Sequence, residues 1–411
     1  MRVLILSWEY PPIVAGGLAR HVRKLSENLV REAGAEVHVL TRGSRDTPRH
    51  EVLAGVHVHR VPETTTPRDL DAFLAWVDRM NADMVAAGAE LAAEADVVHG
   101  HDWLVAEAAH ALAHQAGVPY LTTIHATEYG RHQGWVDKHP QSHIHGVETW
   151  MARHADHIVV CSHYMRGHVA DVYGLDEAGI DVIPNGIDPE DLQPVGDLEA
   201  LRAQFAAPDQ RLVLLVGRLV YEKGFQDALA ALPGLIRRLG NVRYLVAGSG
   251  THEAELKEQA RRLGIAEHGT FLGWIGDDVL HSLYRIADIT VVPSIYEPFG
   301  LVALEAMASG CPCIVADTGG LREVVPNREV GLRFRAESPR SLAHWVARVL
   351  TDEDLRDRLI TEASEHVLGF DWAEIAVQTE VLYSTLARRA RSPISRRSAA
   401  ARAPARPGAR A

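Results

Sequence analysis

The feature that most constrains this chain is a repeated local grammar: a short unbroken apolar run, a loop containing glycine, then a helical period. Val3-Leu4-Ile5-Leu6 is apolar throughout, as suits a strand buried on both faces of a parallel sheet. Gly16-Gly17 breaks the chain, and Leu18, Val22, Leu25 and Leu29 follow on one face of a helix. Glu36 to Leu40 closes a first βαβ unit. Val97 to His99 and Tyr120 to Ile124 read as strands around a helix at about 103–116. Ile158 to Cys161 and Asp181 to Ile183 read as two more. Pro184 to Gly196 is rich in Pro, Gly, Asn and Asp without helical period, which marks a linker. The grammar then restarts. Leu212 to Val216 reads as a strand, followed by a helix near 224–239 and strands at Val242 to Ala247, Gly269 to Leu272, Ile289 to Val292 and Cys313 to Ala316. The expectation is two doubly wound α/β domains, 1–190 and 197–369, whose crevices at the carboxyl ends of the strands join into one cleft. No internal repeat is visible in the sequence, so a duplication would be architectural.

Composition agrees with two ordinary domains. The chain has 411 residues, 47% apolar and 23% charged, and a domain takes roughly 100–200 residues. No run of 18 apolar residues exists, so no transmembrane helix is expected. The apolar start at Met1 to Leu6 is too short for a secretory signal. Cys161, Cys311 and Cys313 are an odd, sparse set, which fits a reducing cytosol and a cytoplasmic protein. Cys311-Pro312-Cys313 lacks the second ligand pair of a zinc site. Net charge is −12, yet the eight arginines from Arg388 onward have no acid among them, so the body stands at −20. Such a body repels phosphate backbones and argues against nucleic acid as a partner. Residues 370–387, with Trp372, Ile375, Val381 and Leu382, read as a final helix. The segment 392–411 is rich in Ala, Arg and Pro, and is expected to be disordered and dispensable for chemistry.

Three segments carry candidate chemistry. Gly16-Gly17, between strand and helix, lets backbone N–H groups approach an anion at a helix N-terminus, although two glycines can also simply make a tight turn. A full G-x-G-x-x-G is absent, so no dinucleotide fingerprint is assigned. Arg218 and Lys223 follow a strand end, where a guanidinium fork and an ammonium suit a diphosphate; the alternative is an exposed basic pair partnered by Glu222. The most informative segment is Ser294 to Ala306. Pro298 is placed to start a helix, leaving the amides of Gly300, Leu301 and Val302 open to an anion. Glu297 precedes that helix and Glu305 lies inside it. Acceptor-only carboxylates hold sugar or ribose hydroxyls, and a pair astride an anion-binding helix fits a nucleotide sugar better than a hydrolase pair.

Glu297 and Glu305, within Glu-Pro-Phe-Gly-Leu-Val-Ala-Leu-Glu, resemble the E-x7-E motif of retaining glycosyltransferases of family 4, which have the GT-B fold. Trp8 to Pro12 leading to Gly16-Gly17-Leu18, Val216 to Leu219 with Glu222-Lys223-Gly224, Pro184 to Asp188, and Gly248-Ser249-Gly250 extend the resemblance over residues 1–387. His101 to Val105, Thr123 to Glu128, Gly130 to His132 and Gly134-Trp135 narrow it to actinobacterial α-(1→4)-glucosyltransferases of glycogen and methylglucose lipopolysaccharide synthesis. One departure is Val14, which stands where family 5 synthases carry lysine, so phosphate neutralisation falls to Arg218 and Lys223.

The resemblance implies roles. Gly16 and Gly17 approach the diphosphate, and Arg218 and Lys223 neutralise it as it leaves. Glu297 holds a donor-sugar hydroxyl, Glu305 the ribose diol, and His125 the donor sugar near the reacting centre. Asn185, Gly248, Trp274, Ile275, Phe299, Gly300, Leu301 and Val302 complete the donor site, while Glu9 and Asp102 lie toward the acceptor. The C-terminal helix crosses back to the first domain. No metal is expected: Asp69-Leu70-Asp71 and Asp352-Glu353-Asp354 sit in helix-like contexts, and His99 with His101 on one strand end show no third ligand. The implied reaction moves glucose from ADP-glucose or UDP-glucose to the 4-hydroxyl of an α-glucan or short glucoside. The rivals are a family 4 transferase with a lipid or small-molecule acceptor, and a glycan-binding or regulatory module that has lost catalysis.

Overall fold

The computed structural model describes residues 1–391, apart from 15, 63–65, 68 and 195. The segment 392–411 lies outside the described residues. Two sheets of mostly parallel strands stand edge to cleft. The first holds β1 (Arg2–Leu6), β2 (Glu36–Arg42), β3 (His50–Leu53), β4 (Val56–Val61), β5 (Val97–His101), β6 (Tyr120–Ile124), β7 (His157–Val160) and β8 (Ile180–Val182). Their spatial order is β3-β4-β2-β1-β5-β6-β7-β8. The second sheet holds β9 (Arg211–Val216), β10 (Val242–Ala247), β11 (Gly269–Gly273), β12 (Ile289–Val292), β13 (Cys313–Ala316) and β14 (Leu332–Phe334), in the order β11-β10-β9-β12-β13-β14. Both orders reverse beside the first strand of the sheet, the switch point at which such folds bind ligands.

Alternation along β1 explains how one strand serves two faces. Val3 and Ile5 join one core with Val22, Leu25 and Leu29 of the helix Gly17–Ala33. Leu4 and Leu6 point the other way, into the core beneath the helices Leu70–Ala93 and Ala106–Ala116. All four are essentially inaccessible to water, as the period of two in a doubly covered strand requires.

Among the described residues one strand pair, β3 with β4, is antiparallel, and it has no counterpart in the βαβ grammar of the sequence. Its turn is Ala54-Gly55, both at positive φ (48° and 84°), the twist a two-residue hairpin needs. Asp69 accepts from Ala72 N at 2.9 Å and caps the helix Leu70–Ala93, and Asp352 caps Glu353–His366. These two acidic strings are therefore helix starts.

The chain crosses between the sheets twice, side by side. Ile187 N donates to Phe370 O at 2.8 Å, where 184–196 meets the segment entering the last helix. That helix begins at Trp372 and runs to Arg391, longer than its apolar pattern indicates. It lies on the helix Gly17–Ala33 and buries Trp372, Ile375, Tyr383 and Leu386 in the first sheet's core. Val381, expected on its apolar face, is 56% exposed. The neighbouring Tyr383 takes that place, its hydroxyl 2.7 Å from His99 Nδ1. Among the described residues no helix is long and apolar enough to cross a membrane.

Candidate active site

The cleft between the sheets encloses a cavity of about 450 Å³, within the range of small-ligand sites. Its walls are the loops that leave the carboxyl ends of β1, β6, β9, β10, β11 and β12.

On the second-domain side, two glycines set the loops. At Gly248 (φ 138°) a Cβ would stand 1.9 Å from Gly217 O, and at Gly224 (φ 70°) 1.9 Å from Pro293 O. No side chain fits either place, so the loop after β9 lies directly on those after β10 and β12. Ile295 N then donates to Glu222 O at 2.8 Å. That docking brings Lys223 Nζ to 2.8 Å from Glu297 Oε2, which also accepts from Ser294 Oγ at 2.9 Å. Arg218 stands beside them, 3.8 Å from Glu222. Loss of solvent and then the Arg131 charge lower its pKa, while Glu222 and Glu297 oppose the fall.

The helix after β12 begins at Leu301, with Gly300 (φ 129°) as its N-cap. Pro298, expected to start that helix, lies outside it, because its carbonyl is turned to accept from Ser162 Oγ at 2.7 Å across the cleft. The first-turn amides of Leu301 and Val302 have no intrahelical acceptor and line the cavity. Glu305 is buried in the same helix, accepting from Tyr284 OH at 2.8 Å and Arg20 Nη1 at 2.9 Å. Burial raises its pKa, while Arg20 and Tyr284 oppose the rise.

On the first-domain side, a Cβ at Gly17 would meet Leu301 Cδ1 at 3.1 Å, so Gly17 presses toward the opposing helix start, while Gly16 stands in open space. His125 follows β6, and burial, then Arg131, push its pKa down to about 3. It is a neutral imidazole at pH 7, able to hydrogen-bond a hydroxyl but not to act as a cationic acid. Arg131 itself keeps its charge against burial through Asp102, Glu148 and Glu128.

The cavity gathers Gly16, Gly17, His125, Asn185, Arg218, Lys223, Gly248, Trp274, Ile275, Glu297, Phe299, Gly300, Leu301, Val302 and Glu305. It does not gather Glu9 or Asp102. Glu9 is 2% exposed and off the cavity wall. Asp102, at φ 61°, turns its carboxylate under the next loop and accepts from His125 N at 2.8 Å. Burial pushes its pKa up to about 6. As placed, Asp102 orients the His125 loop. Sequence reasoning missed Arg20, His21, Asp277 and Tyr296 on the same wall. Arg20 and His21 carried a usable signal, since they lie in the first turn after the paired glycines. Asp277 and Tyr296 carried none, because each meets its partner only across the cleft: Asp277 pairs with Arg20, and Tyr296 OH accepts from Thr127 N at 3.1 Å.

Residues 15–191 match the family described as Glycosyltransferase Family 4, and 197–366 match Glycosyl transferases group 1. The chain is 40% identical over 414 residues to a protein named glycogen synthase of Mycobacterium tuberculosis, covering 96% of this chain and 97% of that one. It is 32% identical over 402 residues to a D-inositol 3-phosphate glycosyltransferase of Nocardia farcinica, covering 91% and 87%. Among solved structures, sucrose-phosphate synthase from Thermosynechococcus elongatus superposes with a TM-score of 0.79 at 26% identity, over 94% of this chain and 98% of that one.

Proposed function

The chain belongs to glycosyltransferase family 4, with the GT-B fold, and on that premise we propose a cytosolic, retaining glucosyltransferase. It moves glucose from ADP-glucose or UDP-glucose to the 4-hydroxyl of an α-glucan or short glucoside. The observation that carries this reading is the convergence of Arg218, Lys223 and the helix start at Leu301 on one cavity flanked by Glu297 and Glu305. A binding module has no need of two cations aimed where a leaving group would gather charge.

In the proposed reaction the bond between the sugar's anomeric carbon and the diphosphate oxygen breaks. The acceptor hydroxyl forms the new bond from the same face and passes its proton to the departing diphosphate. Arg218 and Lys223 stabilise the charge that develops there, an effect worth about 3 kcal/mol per well-placed donor. Glu297, held by Lys223 and Ser294, receives a sugar hydroxyl, Glu305 the ribose diol, and neutral His125 a hydroxyl near the reacting carbon. No metal is required in this scheme, because the cations of the chain meet the diphosphate directly. The similarity to inositol-phosphate transferases favours a second reading, a small phosphorylated acceptor.

The test is a turnover screen of ADP-glucose and UDP-glucose crossed with glucose, glucose 1-phosphate, maltose, glycogen and an inositol phosphate. Transfer to maltose or glycogen supports the first reading, and transfer to the inositol phosphate alone replaces it with the second. Release of neither ADP nor UDP with any acceptor would refute both.

A further inference from the structure

Three imidazoles meet at one side of the cleft from elements far apart in sequence. His21 stands on the helix Gly17–Ala33, His101 ends β5, and His125 follows β6. One ligand-capable atom of each lies within 4.8 Å of those of the others, and among the described residues theirs is the group of this kind that could hold a metal ion. His101 Nδ1 is 3.0 Å from His125 Nε2, and the ring of His21 stands 4.6 Å from that of His125. His21 Nδ1 and His101 Nε2 are buried without a hydrogen-bond partner. An unmade bond at a buried polar atom typically costs about 1–3 kcal/mol, so His21 Nδ1 is a buried nitrogen in want of a partner beside the His101–His125 pair.

From this geometry we propose that His21, His101 and His125 bind a divalent cation of borderline softness, such as Zn²⁺, and that the bound ion blocks the donor site. Zn–N bonds of about 2.0–2.1 Å place tetrahedral ligand nitrogens about 3.3 Å apart. The His101 and His125 nitrogens are within about 0.3 Å of that spacing; ligation replaces the hydrogen bond between them, each ring turning an unprotonated nitrogen to the ion, and His21 closes the remaining gap by a side-chain movement. Burial keeps all three rings neutral, the form that ligates. Three protein ligands leave one coordination position open, and it faces the cavity that His21 and His125 line. The ion occupies the space assigned to the donor sugar, so it acts as an inhibitor and not as a cofactor. Arg131 on the same wall opposes the added charge, and the Asp102 carboxylate beneath His125 offsets it.

The test uses Co²⁺ as a spectroscopic stand-in on the full chain. The expected result is a visible d–d band of tetrahedral type at one equivalent, displaced by Zn²⁺ and suppressed at least tenfold by saturating nucleotide sugar. His101→Gln and His21→Asn, each checked for folding by circular dichroism, should lose the band and raise the Zn²⁺ concentration for half-inhibition at least tenfold. Strands β2, β3 and β4 carry a second group of histidines, His38, His50, His57 and His59, with their rings against one another, and a band that survives both variants would assign binding there and overturn the proposal. So would the absence of a band, or Zn²⁺ inhibition indifferent to donor concentration. The Co²⁺ titration reads binding without turnover, so it decides this inference even if the glucosyltransfer reading fails.

Discussion

Gly130→Ala should disable the protein by adding a single methyl at the seam between the domains. Gly130 lies in the short helix Glu128–Arg131, and a Cβ there would stand 2.2 Å from Tyr296 Cζ and 2.3 Å from Cε2. Carbon atoms rest at about 3.5–4.0 Å, so the ring must retreat by roughly 1.3–1.8 Å. It has no free direction: its hydroxyl is held by Thr127 N at 3.1 Å, and Thr127 Oγ1 accepts from Gly130 N at 2.9 Å. Overpacking of this kind costs about 1–3 kcal/mol of stability. The larger effect falls on chemistry, because Tyr296 precedes Glu297 and its retreat carries that carboxylate off Lys223. A misplacement of about 1 Å at a reacting site costs on the order of 100-fold in rate. The assay is kcat/KM for nucleotide-sugar turnover beside thermal unfolding, with Gly146→Ala as control. Gly146 is an exposed mid-helix glycine with nothing within 4 Å of an added Cβ, so that change should stabilise by about 0.5–1 kcal/mol and leave turnover alone. A Gly130→Ala variant with turnover within twofold of the parent and unchanged Tm would refute the seam argument.

Lys223→Ala should lower kcat about 100-fold or more, and Arg218→Lys should fail to restore full activity because the planar fork is lost; unchanged kcat in Lys223→Ala would remove Lys223 from the leaving-group role. Turnover should survive EDTA, and its loss with recovery on adding Mn²⁺ or Mg²⁺ would overturn the metal-free scheme. Acid should unfold the protein early. Burial holds His21, His99 and His101 well below the usual imidazole pKa and His125 near about 3. As pH falls below about 6.5 the unfolded chain therefore takes up protons that the folded chain refuses. Asp102, raised to about 6, works the other way with one proton. Glu148, pushed up to about 8 by burial, also works against the imidazoles, but the four buried imidazoles set the direction, so stability should fall as pH drops from 7 to 5, and urea midpoints that are flat over that range would contradict it. Truncation before Phe370 should destabilise the fold by uncovering the core that holds Trp372 and Tyr383, whereas removing 392–411 should leave Tm and turnover intact; loss of activity on glycogen alone would assign those residues to polymer docking.

The two-domain α/β architecture was legible in local signals alone, because unbroken apolar runs with glycine punctuation bury the same way in any doubly covered sheet. The same signals also marked the donor-side wall. Arg218, Lys223 and Glu297 lie two, seven and five residues after a strand end, Glu305 sits in the helix that follows β12, and strand ends converge by topology. Local signals did not reach what depends on approach across the cleft. Pro298 looks like a helix start until Ser162 of the other domain takes its carbonyl. Val381 and Tyr383 are both apolar enough to face a core, and only the docking angle of the last helix chose between them. His101 had no visible third ligand because His21 arrives from another element and His125 from the neighbouring strand. Glu9 and Asp102 match the family pattern in sequence, yet their burial off the cavity wall follows from backbone turns that residue identity alone does not specify. Contacts within a few residues are set by propensity and period, and tertiary structure decides those that join elements 20 to 285 positions apart, because packing selects one approach among many that the local patterns allow.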